Sequence, residues 1–268
     1  VIDYYAPVLV IGSFREGYAV EQLAEQLTTI FNEAELPLSA ILHQRRYDRQ
    51  QMWQLLSGEL PAESWAEEDG FRYELTYMRN QNVGFFPDMR LGRRLVRQLS
   101  PGKRVLNLFS YTCSFSVVAM AAGATYCCNM DLSKPALATG RTNHKANGTS
   151  HEHVDFLGMD ILKSFGRLKR LGPFDLVIID PPSHQSGFAV ERDYQRIVRR
   201  LDEFITDKAE VIACLNAPHL DPSFLDGLFS GWQKAGQLGR PPEYSEANQA
   251  SSLKIQHYQK LPNRRSAL

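Results

Sequence analysis

Residues 104–131 read RVLNLFSYTCSFSVVAMAAGATYCCNMD, and the fold is decided there. The run 104–109 has the length and apolar content of a strand, 114–122 is an alanine-rich helix, and 125–130 is a second strand that ends at Asp131. Working outward toward the C-terminus, a helix is expected at 134–147, a short strand at 154–157 leading to Asp160, and a strand at 174–179 (FDLVII) ending at Asp180. A helix at 193–204, a fifth strand at 210–215 (EVIACL) and an alternating edge strand at 252–259 complete the series. Strands alternating with helices in this way predict a largely parallel sheet covered on both faces, an α/β fold.

Toward the N-terminus the pattern changes. A strand at 8–11, a helix at 19–31 with Leu23, Leu27, Ile30 and Phe31 at helical spacing, and a strand at 38–43 suggest a small α+β module. The stretch 44–51 gathers Arg45, Arg46 and Arg49 around Tyr47, and 57–70 is rich in Glu, Pro, Ala and Gly, as a connector is. The domains are therefore expected at 1–79 and 80–268.

Composition bounds the function. The 268 residues are 43% apolar, 22% charged and 10% aromatic, with mean hydropathy −0.32, which excludes collagenous, disordered and low-complexity classes. The longest apolar runs, such as 176–179, fall far short of the roughly 20 residues of a membrane-spanning helix, so no membrane association is expected. No basic-then-apolar leader pattern is seen, and a cytoplasmic, reducing setting is expected. Four cysteines without CxxC spacing argue against zinc and against a disulfide framework, so no metal is expected. Thirty Lys+Arg balance thirty Asp+Glu, so nothing grips nucleic acid by bulk charge, although a local basic face is compatible with the sum.

Asp131, Asp160 and Asp180 each fall just past a strand's carboxyl end, where open α/β sheets bind their ligands. Asp131 follows the 111–113 loop by about 20 residues, the separation at which an acid reaches a ribose diol; each acid alone also reads as a helix N-cap. The loop 107–116 (NLFSYTCSFS) lacks GxGxxG, which disfavours a pyrophosphate and leaves an adenosine cofactor with an amino-acid tail. In Asp180-Pro181-Pro182-Ser183 two prolines fix the chain after a buried strand and hold the carboxylate with little freedom.

With NLFSYTCSFS, the strand-end Asp131-Leu132-Ser133 and DPPS assembled, the chain resembles class I S-adenosylmethionine-dependent methyltransferases, and more narrowly the large-subunit ribosomal RNA methyltransferases of the cytosine-5 and guanine-N7 types. The segment 84–90 (GFFPDMR) is similar to the element that precedes the cofactor domain in that group and closes over the cofactor. The start of the chain looks like the group's small middle domain, often described as contributing to RNA binding. The resemblance implies a Rossmann-like sheet, S-adenosylmethionine as cofactor and RNA, ribosomal in the first place, as substrate. It implies that Asn107, Phe109, Tyr111 and Thr112 line the methionine end, and that Asp131, with Leu132 beside it, binds the ribose. Asp160 would take the adenine amino group with Ile161 near the ring, and Phe86, Asp88 and Arg90 would cover the cofactor. Asp180 and Pro181 would border the methyl donor and the target base.

Two departures from that group narrow the chemistry. Cys113 stands where the group usually has Gly, so a loop tighter against the cofactor tail is expected. A cytosine-5 transferase needs a thiolate, yet Asn216 aligns with the usual cysteine, and Cys214, two residues earlier, reads as a buried core residue. A guanine N7 needs only placement, and Asn216 would hydrogen-bond a base edge. Ser183 replaces the stacking aromatic of exocyclic-amino methyltransferases. The arginines gather as Arg45/Arg46/Arg49, Arg90/Arg93/Arg94/Arg97 and Arg196/Arg199/Arg200, candidates for phosphate contact or, equally, solvated faces paired with acids. Other outcomes left open are methylation of a small molecule or protein, and a non-catalytic RNA-binding member of the fold.

Overall fold

The computed structural model describes residues 1–48, 50–149, 152–182, 187–244 and 253–261; Arg49, Ser183 and Ser252 lie outside them. By its internal contacts the chain divides into two compact units, Val1–Phe85 and Phe86–Leu268.

The first unit is built on β1 (Ile2–Tyr5), β2 (Val8–Ser13), α1 (Val20–Glu33), β3 (Ala40–Arg45) and β4 (Trp53–Gly58), with sheet order β1-β2-β3-β4. β2 and β3 run parallel and α1 is the crossover between them. That helix turns Val20, Ala24 and Phe31 onto Leu9, Ile11 and Ile41, with Leu23 and Leu27 of the expected stripe partly buried beside them and Ile30 exposed. A hairpin follows, β5 (Trp65–Glu68) and β6 (Phe71–Glu74). Asp69 and Gly70 close it with φ of 52° and 85°, the two left-handed residues that a tight type I′ turn requires. Residues 80–85 pack with this unit, since the ring of Phe85 stacks on Tyr73 at 4.5 Å.

The second unit opens with α2 (Arg90–Leu99) and continues β7 (Arg104–Leu108), α3 (Ser114–Ala121), β8 (Tyr126–Asp131), α4 (Lys134–Ala146), β9 (Val154–Gly158), α5 (Phe165–Leu171) and β10 (Phe174–Ile179). It ends with α6 (Val190–Val198), β11 (Ile205–Leu215), α7 (Ser223–Leu228), β12 (Trp232–Leu238) and β13 (Lys254–Lys260). The seven strands lie in the order β12-β13-β11-β10-β7-β8-β9. Five are parallel, and β13 runs antiparallel to both β11 and β12. The chain therefore builds outward from β7 through β8 to β9, then returns to the other side of β7 with β10. That reversal is the switch point at which open α/β sheets bind ligands. β10 is buried on both faces, from Leu176 to Ile179, as a central parallel strand covered by helices must be.

Sequence and structure differ at the C-terminal edge. The strand expected at the sheet's edge is internal: β13 is buried from Lys254 to Tyr258 and has β11 and β12 on its two sides. The true edge is β12, WQKAGQL, whose polar, mostly exposed residues and Gly236 carry no strand signal. The helix expected at 193–204 begins at Val190 and stops at Val198, and β11 begins at Ile205, five residues before its apolar run. Among the described residues no helix is long and apolar enough to cross a membrane.

The end of the sheet remote from the switch point is stapled by charge. Glu210 of β11 accepts from His257 Nε2 at 2.6 Å, from Gln259 Nε2 at 3.2 Å and from Lys103 Nζ. The His257 hydrogen bond, with Lys103 and Gln259 after it, outweighs burial and holds the Glu210 carboxyl down to about 2. Because the folded value is depressed, this stability is present above the unfolded value near 4.3 and is lost as pH falls toward 2. Glu210→Gln is expected to lower stability at pH 7 by on the order of 2 kcal/mol. In urea melts that deficit shrinks between pH 4.5 and 2; a deficit independent of pH over that window would contradict it.

Candidate functional site

The loop that leaves β7 is held in an unusual shape. Phe109, Tyr111 and Cys113 have φ of 57°, 47° and 65°, three left-handed residues in alternation, each disfavoured by roughly 1–2 kcal/mol for an L-residue. The surrounding structure over-determines them. Asp131, at the end of β8, accepts from Tyr111 N through Oδ2 at 2.8 Å and from Ser133 N through Oδ1 at 2.7 Å. From α4, buried Asn143 donates to Thr112 O at 2.9 Å, and Ser116 Oγ donates to Cys113 O at 3.0 Å. His144 sits behind them, its Nε2 2.8 Å from Ser116 Oγ and its Nδ1 2.7 Å from Thr149 Oγ1.

Cys113 does not tighten the loop as its replacement of a usual glycine suggests. Its side chain is fully buried against α4, where Gly140 makes room: a Cβ there would lie 2.5 Å from Cys113 Sγ. The extra bulk is absorbed beneath the loop.

Five of the expected cofactor residues converge. Phe109, Leu132, Asp160 and Ile161 line one pocket together with Met159, Leu162, Gly187 and Phe188, and Asp131 is tied to the same loop through Tyr111. Leu132 and Met159 are exposed, and Phe109 meets Phe188 edge-on at 4.8 Å; these apolar surfaces suit a flat ring. Asp160 caps the turn after β9, accepting from Leu162 N at 2.9 Å. Asn107 and Thr112 are instead buried. Asn107 donates to Asn129 Oδ1 at 2.9 Å and its own Oδ1 has no hydrogen-bond partner, so it supports the loop from within the sheet.

The covering segment is anchored as well as exposed. The ring of Phe86 lies 5.4 Å from that of Tyr111, Asp88 pairs with Arg240 at 3.4 Å, and Arg90 pairs with Glu243. Across the switch point, Asp180 follows β10 and Pro181 is buried. Burial first, and the charge of Asp88 second, push the Asp180 carboxyl up to about 7, against the opposing pull of buried Arg93. Burial likewise raises Asp88, against Arg240 and Arg93. Tyr194 fixes the strand end from below, donating to Ile179 O at 3.2 Å. Asn216 stands exposed at the end of neighbouring β11. All four cysteines are free and buried, and burial raises each thiol, Cys113 and Cys128 to about 12. Cys214 is thus the core residue its position suggests.

A family model described as S-adenosylmethionine-dependent methyltransferase matches residues 1–259. The chain belongs to that family. The ribosomal RNA large subunit methyltransferase I of Photobacterium profundum is 35% identical over 187 residues, covering 68% of this chain and 47% of that protein. A ribosomal RNA large subunit methyltransferase K/L of a Shewanella species is 35% identical over 153 residues, covering 54% and 22%. The chain thus spans about half of the first relative's length and less of the second. The crystal structure of SMU.776, provisionally described as a methyltransferase and complexed with SAH, superposes with a TM-score of 0.85 over 96% of this chain and 70% of that one, at 24% identity; at that identity the likeness is one of fold.

The residues present fit the methyltransferase cofactor. The pocket offers apolar surfaces and the Asp160 carboxylate for an adenine, and Asp131 keeps acceptor capacity beyond its two amide bonds for a diol. Arg90 Nε is buried without a hydrogen-bond partner, a donor left for an anionic group. When bound, S-adenosylmethionine supplies a sulfonium methyl; the protein's part is to orient it and exclude water, which the Asp131-held loop and the Phe86–Arg90 segment are placed to do.

Three features at or near the carboxyl ends of the strands are missed by sequence reasoning. Phe188 is the first Phe, Tyr or Trp after Pro182, which is the signal that finds it. Lys254 is buried opposite Leu215 at the carboxyl edge and lies 3.4 Å from Ala217 O, a position no local pattern reveals. The Asn143–His144 pair carries only a helical signature. Among the described residues no cluster of His, Cys, Asp or Glu suited to a metal occurs.

Asp180 gives a pH signature. Unfolded, it loses its proton near 3.9, whereas the folded chain holds it to about 7, so ionisation destabilises the fold progressively between those values. The Tm of Asp180→Asn minus that of the wild type is expected to rise from pH 4 to 7 and then level off. An unchanging difference across pH 4 to 8 would contradict the assignment.

Proposed function

We propose that the protein transfers a methyl group from S-adenosylmethionine to a base of ribosomal RNA in the cytoplasm, at a ring nitrogen rather than at cytosine C5. The substrate class rests on one finding, the 35% identity over 68% of this chain to a ribosomal RNA large subunit methyltransferase. The roles follow the chemistry of the residues. Asp131 and Asp160 hold the ribose and adenine ends, while Phe86, Asp88 and Arg90 cover the cofactor. Asp180 and Pro181 form the stiff wall between methyl donor and target base, and exposed Asn216 reads a base edge. The first unit contributes RNA contact.

The burial of the thiols supports the choice of atom. Attack at cytosine C5 requires a thiolate that adds to C6, and every cysteine here is buried with its thiol raised. A ring nitrogen such as guanine N7 brings its own lone pair, so placement in line with the sulfonium methyl is sufficient.

The test is transfer of labelled methyl into ribosomal RNA from a strain lacking the gene, followed by mass spectrometry of the nucleosides. Label is expected in one base-methylated nucleoside, with Cys214→Ser largely as active as the wild type. Label entering only protein or small metabolites would defeat the RNA reading. A covalent enzyme–RNA adduct lost in Cys214→Ser would restore the cytosine-5 reaction.

A further inference from the structure

The three arginine clusters of the sequence are not electrostatically equal. On α6, Arg192 and Arg196 both pair with buried Asp193, at 2.7 and 3.0 Å. Arg200 pairs with Glu203 at 2.5 Å, and Arg90 pairs with Glu243. In the first unit Arg72 pairs with Glu67 at 3.4 Å, but the guanidinium groups near the ends of β2 and β3 meet neutral partners. Arg45 donates to the side chains of Gln51 and Gln54, Arg46 Nε to Gln44 Oε1 at 2.8 Å, and Arg15 Nε to Tyr18 Oη at 3.0 Å. Among the described residues none of Arg15, Arg45 and Arg46 is ion-paired with a carboxylate. Asp48 acts on Arg45 only at longer range, whereas Arg90, Arg192, Arg196 and Arg200 each have a carboxylate within ion-pair distance.

The fold places exposed rings beside those charges. β2 and β3 are parallel with Ser13 opposite Arg45, and Arg46 N donates to Ser13 O at 2.9 Å, so the two chains leave the sheet side by side. The residues delivered there are Phe14, 62% exposed, Tyr18, 54% exposed, and Tyr47, 37% exposed. Arg46 lies over Phe14 at 5.4 Å and Arg15 over Tyr18 at 5.3 Å. Of the acids at this edge, Asp48 turns its carboxylate onto its own backbone, accepting from Gln50 N and Gln51 N at 2.9 and 3.0 Å, and Glu16 points to solvent. Exposed aromatic faces flanked by guanidinium groups that are not ion-paired match unpaired nucleotides, whose bases stack while their phosphates take the charge. A double helix keeps its base faces hidden and cannot use the rings.

We propose that Phe14, Arg15, Tyr18, Arg46 and Tyr47 form a platform for unpaired nucleotides of RNA. This deepens the RNA reading above and rests on it. Arginine supplies forked phosphate contacts and the rings supply stacking, without base-edge discrimination, so the platform holds the substrate strand without choosing the modified base.

The test is fluorescence anisotropy with the full chain and a labelled single-stranded RNA of mixed sequence, beside the same RNA as a duplex. The single strand is expected to bind more tightly. Phe14→Ala with Tyr18→Ala weakens it about tenfold or more, whereas Phe14→Tyr, which keeps the ring, binds with wild-type affinity. Arg15→Gln with Arg46→Gln weakens binding and lowers the salt slope by about 1.4. Melting curves and binding of S-adenosylhomocysteine stay at wild-type values in all these variants. Wild-type affinity in both double variants, or a preference for the duplex, would overturn the platform while leaving the methyltransferase reading intact. Absence of RNA binding by the wild type would remove the RNA reading and the platform together, and methyl transfer to another acceptor would then be sought.

Discussion

Asp131 carries two backbone amides on one carboxylate, Tyr111 N on one oxygen and Ser133 N on the other. One amide belongs to the loop after β7 and the other opens α4, so this residue fixes two neighbouring strand ends to each other. Without it the three left-handed residues of the loop lose the bond that holds Tyr111, and each lies several-fold uphill of an extended alternative. Hydrogen bonds from Asn143 and Ser116 complete the constraint from below. The pocket at Phe109, Leu132, Asp160 and Ile161 is a consequence of that fixed loop: its apolar walls come from one side and the capped turn after β9 from the other.

The second element of the site is electrostatic. Asp88 and Asp180 are both raised by burial, and buried Arg93 faces both. Two acids beside one shared cation make a site in which a bound cation favours the ionised carboxylates. Asp193 shows the opposite arrangement. Its fully buried side chain is held well below the usual carboxylate range, first by Arg192 and further by the Ala189 amide and Arg196. The two acids shift in opposite directions because the hydrogen bonds of Arg192, Arg196 and the Ala189 amide outweigh burial at Asp193, whereas at Asp180 burial dominates.

How much of this is legible in sequence depends on whether the signal is local. The strands from β7 to β10 are legible because they are apolar runs, those of β8, β9 and β10 leading to an acid, and Asp131, Asp160 and Asp180 do stand at the strand ends expected. β12 is not, because its outer face is polar and its partner β13 carries the burial. Asn107 illustrates a subtler limit: its type and position suggest a ligand contact, while strand alternation turns it inward to Asn129. The Asp88–Arg240 and Arg90–Glu243 pairs join segments far apart in the chain, so composition near either one is silent. The balanced total of thirty cations and thirty acids likewise hides that the arginines of α6 share the Asp193 carboxylate while Arg15, Arg45 and Arg46, near the ends of β2 and β3, have none within ion-pair distance among the described residues.

The central claim is that the loop fixed by Asp131 builds the binding site for the family's cofactor. Calorimetric titration of S-adenosylhomocysteine into the wild type and into Asp131→Ala tests it most directly. The expected result is a dissociation constant in the micromolar range or tighter for the wild type and no measurable binding by the variant, with both proteins folded by circular dichroism. No heat from the wild type at millimolar ligand, or undiminished affinity in Asp131→Ala, would contradict it.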